Sequence, residues 1–311
     1  IIFNKKDKNM ATRIIGYTLA VSAVFLWSLN YVYAKMLLNL TPMQISFIRW
    51  FFAMIFFLPF TLKSLWQYRQ LLWQNMEYIV VMGLSGLALV NICVYYAGHT
   101  ANAVDMSLIA TLGPVLIVIF NSVINHKMLP FRTLIGVVLA IIGVIVLILH
   151  GDFENLRNFD FVSGDLWMLG TAVMFAAYSL CQRKITTQLP SLTVLSASII
   201  VAAVFCAPDF LLQLQTEGFP ELTTKEIVIL LIIGCLNSGF AYLWWNMAIQ
   251  KIGVVHTGVI YYLLPVFGCA AAYVVLGEEI YSSQIYGAFL VLLGIILVSS
   301  QPKKPLLSFK K

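Results

Sequence analysis

Two charged residues stand well inside otherwise apolar runs of this 311-residue sequence, Arg49 and Asp105. A charge within the hydrocarbon region of a membrane is costly, so such residues usually face a partner or a water-filled cavity. We expect the two side chains to pair with each other, or Arg49 to meet an anionic group of a small molecule. The alternatives are that the Arg49 side chain extends to the membrane surface and that Asp105 caps a helix.

Amide and phenol side chains recur at the spacing of one helical turn in two places. Asn91 and Tyr95 lie four residues apart, as do Tyr242 and Asn246, so each pair occupies one face of a helix. Such groups form hydrogen bonds without a permanent charge to desolvate, which suits a cavity for a polar molecule. The alternative is ordinary hydrogen bonding between helices. Further candidates for the binding site are Asn30, Tyr178, Tyr261 and Tyr262.

The sequence carries no recognisable catalytic motif. The GxxxxGK[ST] phosphate loop, HExxH and GxSxG are all missing, and the five cysteines lie in apolar segments without CxxC spacing. We therefore expect no enzyme activity, no cofactor and no metal site. Pro114 and Pro265 lie within apolar segments, where each removes a backbone donor and acts either as a hinge or as a static kink.

The elements that must position these residues are membrane-spanning helices. Hydrophobic residues make up 61% of the chain and charged residues 10%, and the apolar runs have about the length of twenty residues that a helix needs to cross a bilayer. This composition predicts an all-α integral membrane protein with ten transmembrane helices. The predicted spans are Ile14–Ala34, Met43–Leu62, Tyr78–Ala97, Ala103–Val123, Thr133–Leu149, Asp165–Gln182, Ser191–Pro208, Ile227–Ala248, Val255–Leu276 and Ser282–Ser300.

The distribution of basic residues predicts how the chain is oriented. Of the 19 Lys and Arg residues, fifteen lie in the two termini and in every second connection, and three lie in the opposite connections. By the positive-inside rule, both termini face the cytoplasm of a multi-pass protein in the inner (plasma) membrane, and the loop around Asp152–Asp160 is external. Because the basic residues form no continuous patch, no nucleic-acid partner is predicted.

The chain also contains an internal repeat. Gly16, Lys35 and Pro42 match Gly164, Arg183 and Pro190 at an offset of 148 residues, and a second group matches at an offset of 151. The second group pairs Gly83, Pro114, Gly136 and Gly143 with Gly234, Pro265, Gly287 and Gly294. An odd number of helices in each copy inserts the second copy upside down, which predicts two inverted five-helix repeats.

The predicted organisation has five parts. A cytoplasmic tail (1–13) precedes the first repeat (14–149), and an external linker (150–163) leads to the second repeat (164–300) and a basic cytoplasmic tail (301–311). The lipid bilayer is one partner and a small-molecule substrate is the other. A homodimer is left open.

Several motifs resemble those of the EamA-type branch of the drug/metabolite transporter superfamily. Trp27-Ser28-Leu29-Asn30 followed by Lys35 is similar to the family's W-G-x-N…K pattern, with Ser in place of the usual Gly. Arg49 stands where the family tends to have an arginine, and the stretch from Pro265 through Gly277-Glu278 to Gly287 resembles the P…G-E…G signature. The first copy departs from that signature, because it has Lys127 in place of the acid.

The resemblance implies a secondary transporter, often an exporter of amino acids or related metabolites, with a central cavity that opens to the two sides in turn. Uptake or exchange of metabolites by the same fold is one alternative. A membrane receptor or assembly factor that transports nothing is another. Substrate identity, direction and any coupling ion stay open at this point.

Overall fold

The computed structural model describes residues 5–124, 126, 128–149, 162–185 and 188–299, and within them the chain is helical with no strand. The predicted linker around Asp152–Asp160, the whole predicted C-terminal tail (301–311) and Lys127 lie outside the described residues. Seven described helices are long and apolar enough to cross a membrane, and three apolar helices are shorter.

We label the apolar helical segments α1 to α10 in chain order. The first five are α1 (Lys5–Met36), α2 (Pro42–Gln67), α3 (Met76–Gly98), α4 (Ala103–Ile124) and α5 (Phe131–Ile148). The second five are α6 (Ser163–Ile185), α7 (Ser191–Glu217), α8 (Thr224–Ile252), α9 (Tyr261–Leu276) and α10 (Ser282–Ser299). A short helix, Arg69–Gln74, lies between α2 and α3.

Several helices are longer than the apolar runs that predicted them. Helix α1 begins at Lys5 rather than Ile14, and α7 continues through Pro208 to Glu217. Hydropathy identifies only the apolar part of a helix. The backbone hydrogen bonds of the helix continue into the polar sequence that flanks this part. The N-terminus of α2 follows the local rules: Thr41 and Gln44 form a capping box, with Pro42 as the first helical residue.

The connection between α8 and α9 is itself helical. An α-helix, Ala241–Ile260, runs through the break predicted between residues 248 and 255. The chain nevertheless reverses direction there. This is shown by the ring centroids of Trp245 and Tyr261, which lie 5.8 Å apart. A straight helix between these positions would separate them by about 24 Å.

Large apolar side chains are exposed around the bundle. Phe60, Val123, Val204 and Phe289 are each more than 60% exposed, as expected of side chains that face lipid. Polar side chains such as Arg49 are buried instead. The arrangement is that of a membrane bundle whose largely apolar interior also contains buried polar side chains.

Helices α2 and α7 pack against each other in opposite directions. Ser64 near the end of α2 lies 2.5 Å from Thr193 at the start of α7, measured between hydroxyl oxygens. At the other end of the same two helices, Thr41 donates to Gln213 at 3.0 Å. Helices α5 and α10 cross in the same antiparallel manner through glycine contacts, with Gly143 against Gly287 and Gly136 against Gly294.

Backbone irregularities recur at equivalent positions. Helix α3 contains a π-helical segment at Met82–Leu89 and α8 contains one at Ile233–Phe240, each displaced by 151 residues from the other. The 3-10 turns at Ala110–Leu112 and Tyr261–Leu263 have the same separation. Such segments interrupt the regular hydrogen bonding of a helix and are frequent at functional sites.

Candidate functional site

The centre of the bundle contains a hydrogen-bonded cluster around Arg49, which is 1% exposed. Its Nε donates to the Ser238 hydroxyl at 2.5 Å. Its Nη1 donates to Asn30 Oδ1 at 3.0 Å, to the Tyr95 hydroxyl at 2.9 Å and to Asn91 Oδ1. Four side chains from α1, α3 and α8 therefore converge on the guanidinium of Arg49, which α2 supplies.

The partners of Arg49 are themselves oriented by backbone groups. Asn91 Nδ2 donates to the Leu87 carbonyl at 2.7 Å, which directs Asn91 Oδ1 towards Arg49. The Ser238 hydroxyl donates to the Ile233 carbonyl, five residues earlier, at 2.9 Å. Because that hydroxyl gives its proton to the backbone of the π-helical segment, its lone pairs accept from Arg49.

The positively charged guanidinium of Arg49 donates its hydrogen bonds to neutral groups. All its hydrogen bonds to the described residues go to amide or hydroxyl oxygens, and none of them uses Nη2. The Trp50 ring adds a cation–π contact at 5.0 Å from the guanidinium carbon. The cation is thus held in place but is not neutralised by a carboxylate from the described part of the chain.

A small cavity adjoins this cluster. The space open to water within it is about 50 Å³, room for a few water molecules but less than the roughly 300–1,000 Å³ of ligand pockets. It is lined by Trp27, Asn30, Tyr31, Arg49, Val90, Asn91, Val94, Ala110, Thr171, Ala172, Phe175, Tyr242, Tyr261 and Leu264. In this conformation the cavity is therefore too small for a typical metabolite.

Aromatic rings form much of the cavity wall. Trp27 meets Tyr242 edge-on with ring centroids 5.0 Å apart, and Phe175 stacks on Tyr261 at 5.5 Å. The Tyr242 hydroxyl donates to the Gly86 carbonyl at 3.0 Å, so its ring position is fixed from both ends. A cation beside such a wall can hold a molecule that has an anionic group and an apolar body.

The predicted pairing of Arg49 with Asp105 is not among the contacts of Arg49 in the described structure. Asp105 lies in the first turn of α4, where it accepts from Asn102 at 2.7 Å and from Gln284 of α10 at 2.8 Å. Glu278 lies in the same region and accepts from the backbone amides of residues 103 and 104, at the N-terminus of α4. Asp105 and Glu278 thus lie at the N-terminal end of α4, where the helix dipole favours negative charge.

The other predicted residues lie in several places. The cavity is lined by Arg49 together with Asn30, Asn91, Tyr242 and Tyr261. Tyr95 does not line the cavity, but its hydroxyl accepts a hydrogen bond from Arg49. Asn246 accepts from Gln182, and Tyr178 meets Tyr242 edge-on at 6.1 Å; both border a separate cleft. Tyr262 packs against the hydrophobic core. Pro114 and Pro265 are each the second residue of the α-helix that begins directly after a 3-10 turn.

Ser238, Thr171 and Phe175 belong to the site but were not among the residues predicted for it. Serine, threonine and phenylalanine are common in transmembrane helices, so their types carry no signal. The glycine match between Gly83 and Gly234 was the available indication, since it marks close packing near Ser238.

The chain is similar to transporters over nearly its whole length. The model of the EamA-like transporter family matches residues 14–149 and again residues 162–300. An uncharacterized transporter of Bacillus subtilis (strain 168), YyaM, is 25% identical over 75% of this chain and 76% of its own length. A probable amino-acid metabolite efflux pump of Salmonella typhimurium is 26% identical over 90% of this chain and 93% of its own length.

Two further comparisons agree with this result. A probable terminal-alkyne amino-acid exporter of Streptantibioticus cattleyicolor is 21% identical over 73% of this chain and 74% of its own length. A protein of known crystal structure shares the fold, with a TM-score of 0.61 at 20% identity over 93% of this chain and 97% of that chain. The chain is a multi-pass membrane protein and belongs to the EamA-like transporter family.

Proposed function

We propose that this protein is a secondary transporter that exports amino acids or related small metabolites across the inner membrane. The observation that carries the proposal is the buried Arg49, which lines a central cavity. In the described part of the chain its guanidinium donates hydrogen bonds only to neutral groups. A carboxylate on the transported molecule would neutralise this charge by accepting a hydrogen bond from Nη2. The aromatic wall would cover the rest of the molecule.

The small volume of the cavity supports alternating access. Because about 50 Å³ is too small for an amino acid, the helices around the cavity must separate to admit and release one. We propose ten membrane spans arranged as two inverted repeats, with both termini in the cytoplasm. The antiparallel packing of α2 on α7 and the recurrence of π-helical segments at an offset of 151 support the repeat. The cavity lies where the two halves meet.

The direction and substrate class rest on the relatives. The protein of Salmonella typhimurium is described as a probable efflux pump for amino-acid metabolites, and that of Streptantibioticus cattleyicolor as a probable exporter of an amino acid. An α-amino acid carries the carboxylate that Arg49 requires. We therefore infer export of such compounds rather than uptake.

The proposal is tested by counterflow in proteoliposomes. Purified protein is reconstituted with each protein amino acid in turn inside the vesicles, and uptake of a trace of the same labelled compound is followed. At least one amino acid should accumulate transiently. Replacing Arg49 by Ala should lower this counterflow about tenfold or more, because a charge-assisted contact with the carboxylate is lost. Arg49→Lys should restore only part of it, because the planar guanidinium is lost.

The matched control is Arg69→Ala. Arg69 is exposed, and its guanidinium carbon lies 4.6 Å from the centroid of the Trp66 ring. It is not among the residues that line the cavity. It should transport normally, and thermal unfolding of each variant excludes a folding defect. Counterflow by Arg49→Ala at the parental rate, or no counterflow of any amino acid by the parent, would refute the proposed role.

A further inference from the structure

A second polar cleft lies between α3, α6, α7 and α8. The polar side chains that border it are Tyr178, Gln182, Ser191, Ser198 and Asn246. Within the cleft Gln182 donates to Asn246, and both side chains are at most 8% exposed. Among the described residues no charged side chain lines it, and in this conformation it leaves no room for a water molecule.

This cleft is the counterpart of the Arg49 cluster in the second half of the chain. At the offset of 148, Asn30 corresponds to Tyr178, and at the offset of 151, Tyr95 corresponds to Asn246. Both Tyr178 and Asn246 border the cleft. The internal repeat therefore places a second set of polar side chains opposite the first.

Helix packing identifies the residue that replaces Arg49. A Cβ atom on Gly234 would lie 3.1 Å from the carbonyl oxygen of Arg49 and 2.7 Å from the side chain of Phe52. A Cβ atom on Gly83 would lie 2.8 Å from the carbonyl oxygen of Ser198 and 2.6 Å from the side chain of Val201. The two contacts are equivalent, so Ser198 holds the place of Arg49 in the second half.

Ser198 has an unsatisfied hydroxyl. Its side chain is fully buried, and its Oγ has no hydrogen-bond partner among the described residues. An unpaired hydroxyl inside a packed bundle is unfavourable, and water or a ligand group could satisfy it if the cleft opened. This second observation points to an occupant of the cleft.

The barrier between the cavity and the cleft is a pair of tyrosines. Tyr242 lines the cavity and Tyr178 borders the cleft, and their rings meet edge-on with centroids 6.1 Å apart. Gly86 supports both, since its carbonyl accepts from Tyr242 and its Cα lies against the Tyr178 ring. A shift of these two rings would join the two spaces into one path.

We propose that the cleft is a second, uncharged binding site for the polar group of the transported molecule, occupied after the tyrosine pair separates. This inference rests on the proposed function. Amides and hydroxyls would hold the carboxylate or ammonium group by hydrogen bonds alone. The molecule would thus pass between a site with a fixed cation and a weaker neutral site, which lets it leave after tight recognition at Arg49.

The test is chemical labelling of a cysteine in the cleft. The five native cysteines are replaced, and Ser198→Cys is compared with Ser196→Cys. Ser196 is the matched control, because it is also buried on α7 with an unpaired hydroxyl but does not border the cleft. Both variants are reconstituted and treated with a water-soluble methanethiosulfonate, with and without a mixture of the protein amino acids.

Residue 198 should react at least tenfold faster than residue 196, and the amino acids should slow its reaction. Equal or undetectable reaction at the two positions would overturn the proposal, as would fast reaction that is unprotected by amino acids the parent transports. If no amino acid shows counterflow while residue 198 still reacts faster, the proposed substrate class fails and an accessible cleft is supported, because the labelling rate does not depend on the identity of the transported molecule.

Discussion

At the residue scale, the central feature is a guanidinium held by neutral oxygens. Asn30, Asn91 and Tyr95 fix the position of Arg49 without cancelling its charge. A carboxylate from the protein would compete with an anionic ligand for the same donors. Neutral partners therefore keep the arginine both buried and available.

Tyr242 provides a test of the cavity wall at this scale. Replacing it by Ala should weaken substrate binding by about 1–3 kcal/mol, because the ring contact and the hydrogen bond to Gly86 are both lost. Tyr242→Phe keeps the ring and removes the hydroxyl, so it separates the two contributions. The measurement is affinity for the amino acid that shows counterflow, determined on purified protein.

Leu243 is the neighbouring control for that experiment. It is half-buried on the same helix and does not line the cavity, so Leu243→Ala should bind as the parent does. Equal affinities for Tyr242→Ala and the parent would mean that Tyr242 only packs between helices.

At the element scale, the π-helical segments place the polar groups of the site. The segment in α8 brings Ser238 to Arg49, and the segment in α3 brings the Gly86 carbonyl to Tyr242. An extra residue per turn rotates the side chains that follow relative to a regular helix. The two segments occur at matching positions, so the same distortion serves both halves.

Gly86 tests how tightly α3 must approach α6. A Cβ atom at Gly86 would lie 2.0 Å from the ring of Tyr178, which is buried and cannot move aside freely. Gly86→Ala should therefore destabilise the protein by about 1–3 kcal/mol and lower its apparent melting temperature in detergent. Transport should fall as well, because the tyrosine pair is displaced.

Gly170 on α6 provides the comparison. A Cβ atom there would meet only Cys93, at an ordinary contact distance of 3.6 Å. Gly170→Ala should leave the melting temperature within experimental error of the parent. A similar melting temperature for both alanine variants would show that α3 and α6 can separate at no cost.

At the scale of the whole molecule, the distribution of charge predicts the orientation, and the predicted helices alternate in direction. The basic residues concentrate on one side of the predicted bundle, and the antiparallel contacts of α2 with α7 and of α5 with α10 are consistent with alternate crossing.

Two exposed positions test the orientation. Thr100 lies in the turn between α3 and α4, predicted to be external, and Gln70 lies in the short helix after α2, predicted to be cytoplasmic. In a cysteine-free background, Thr100→Cys should react with an impermeant maleimide in intact cells, and Gln70→Cys only after permeabilisation. The reverse pattern would show that the termini face outwards.

The sequence was sufficient to predict a helical multi-pass membrane protein, because the length and polarity of each apolar run are local properties. It was also sufficient for the family, which the match over both halves confirms. Arg49 was identified for the same reason: a charge inside an apolar run must be accommodated, whatever the tertiary structure is.

The partners of Arg49 were decided by the tertiary structure alone. The sequence favoured Asp105 by charge, yet Arg49 bonds to Ser238, 189 positions away, and Asp105 bonds to Gln284, 179 positions away. Hydrophobic periodicity predicts which face of a helix is buried, but not which helix covers it or how π-helical segments rotate its side chains. Asn246 illustrates the limit, since it has the predicted spacing and is buried, but it accepts from Gln182 of α6 and borders the second cleft.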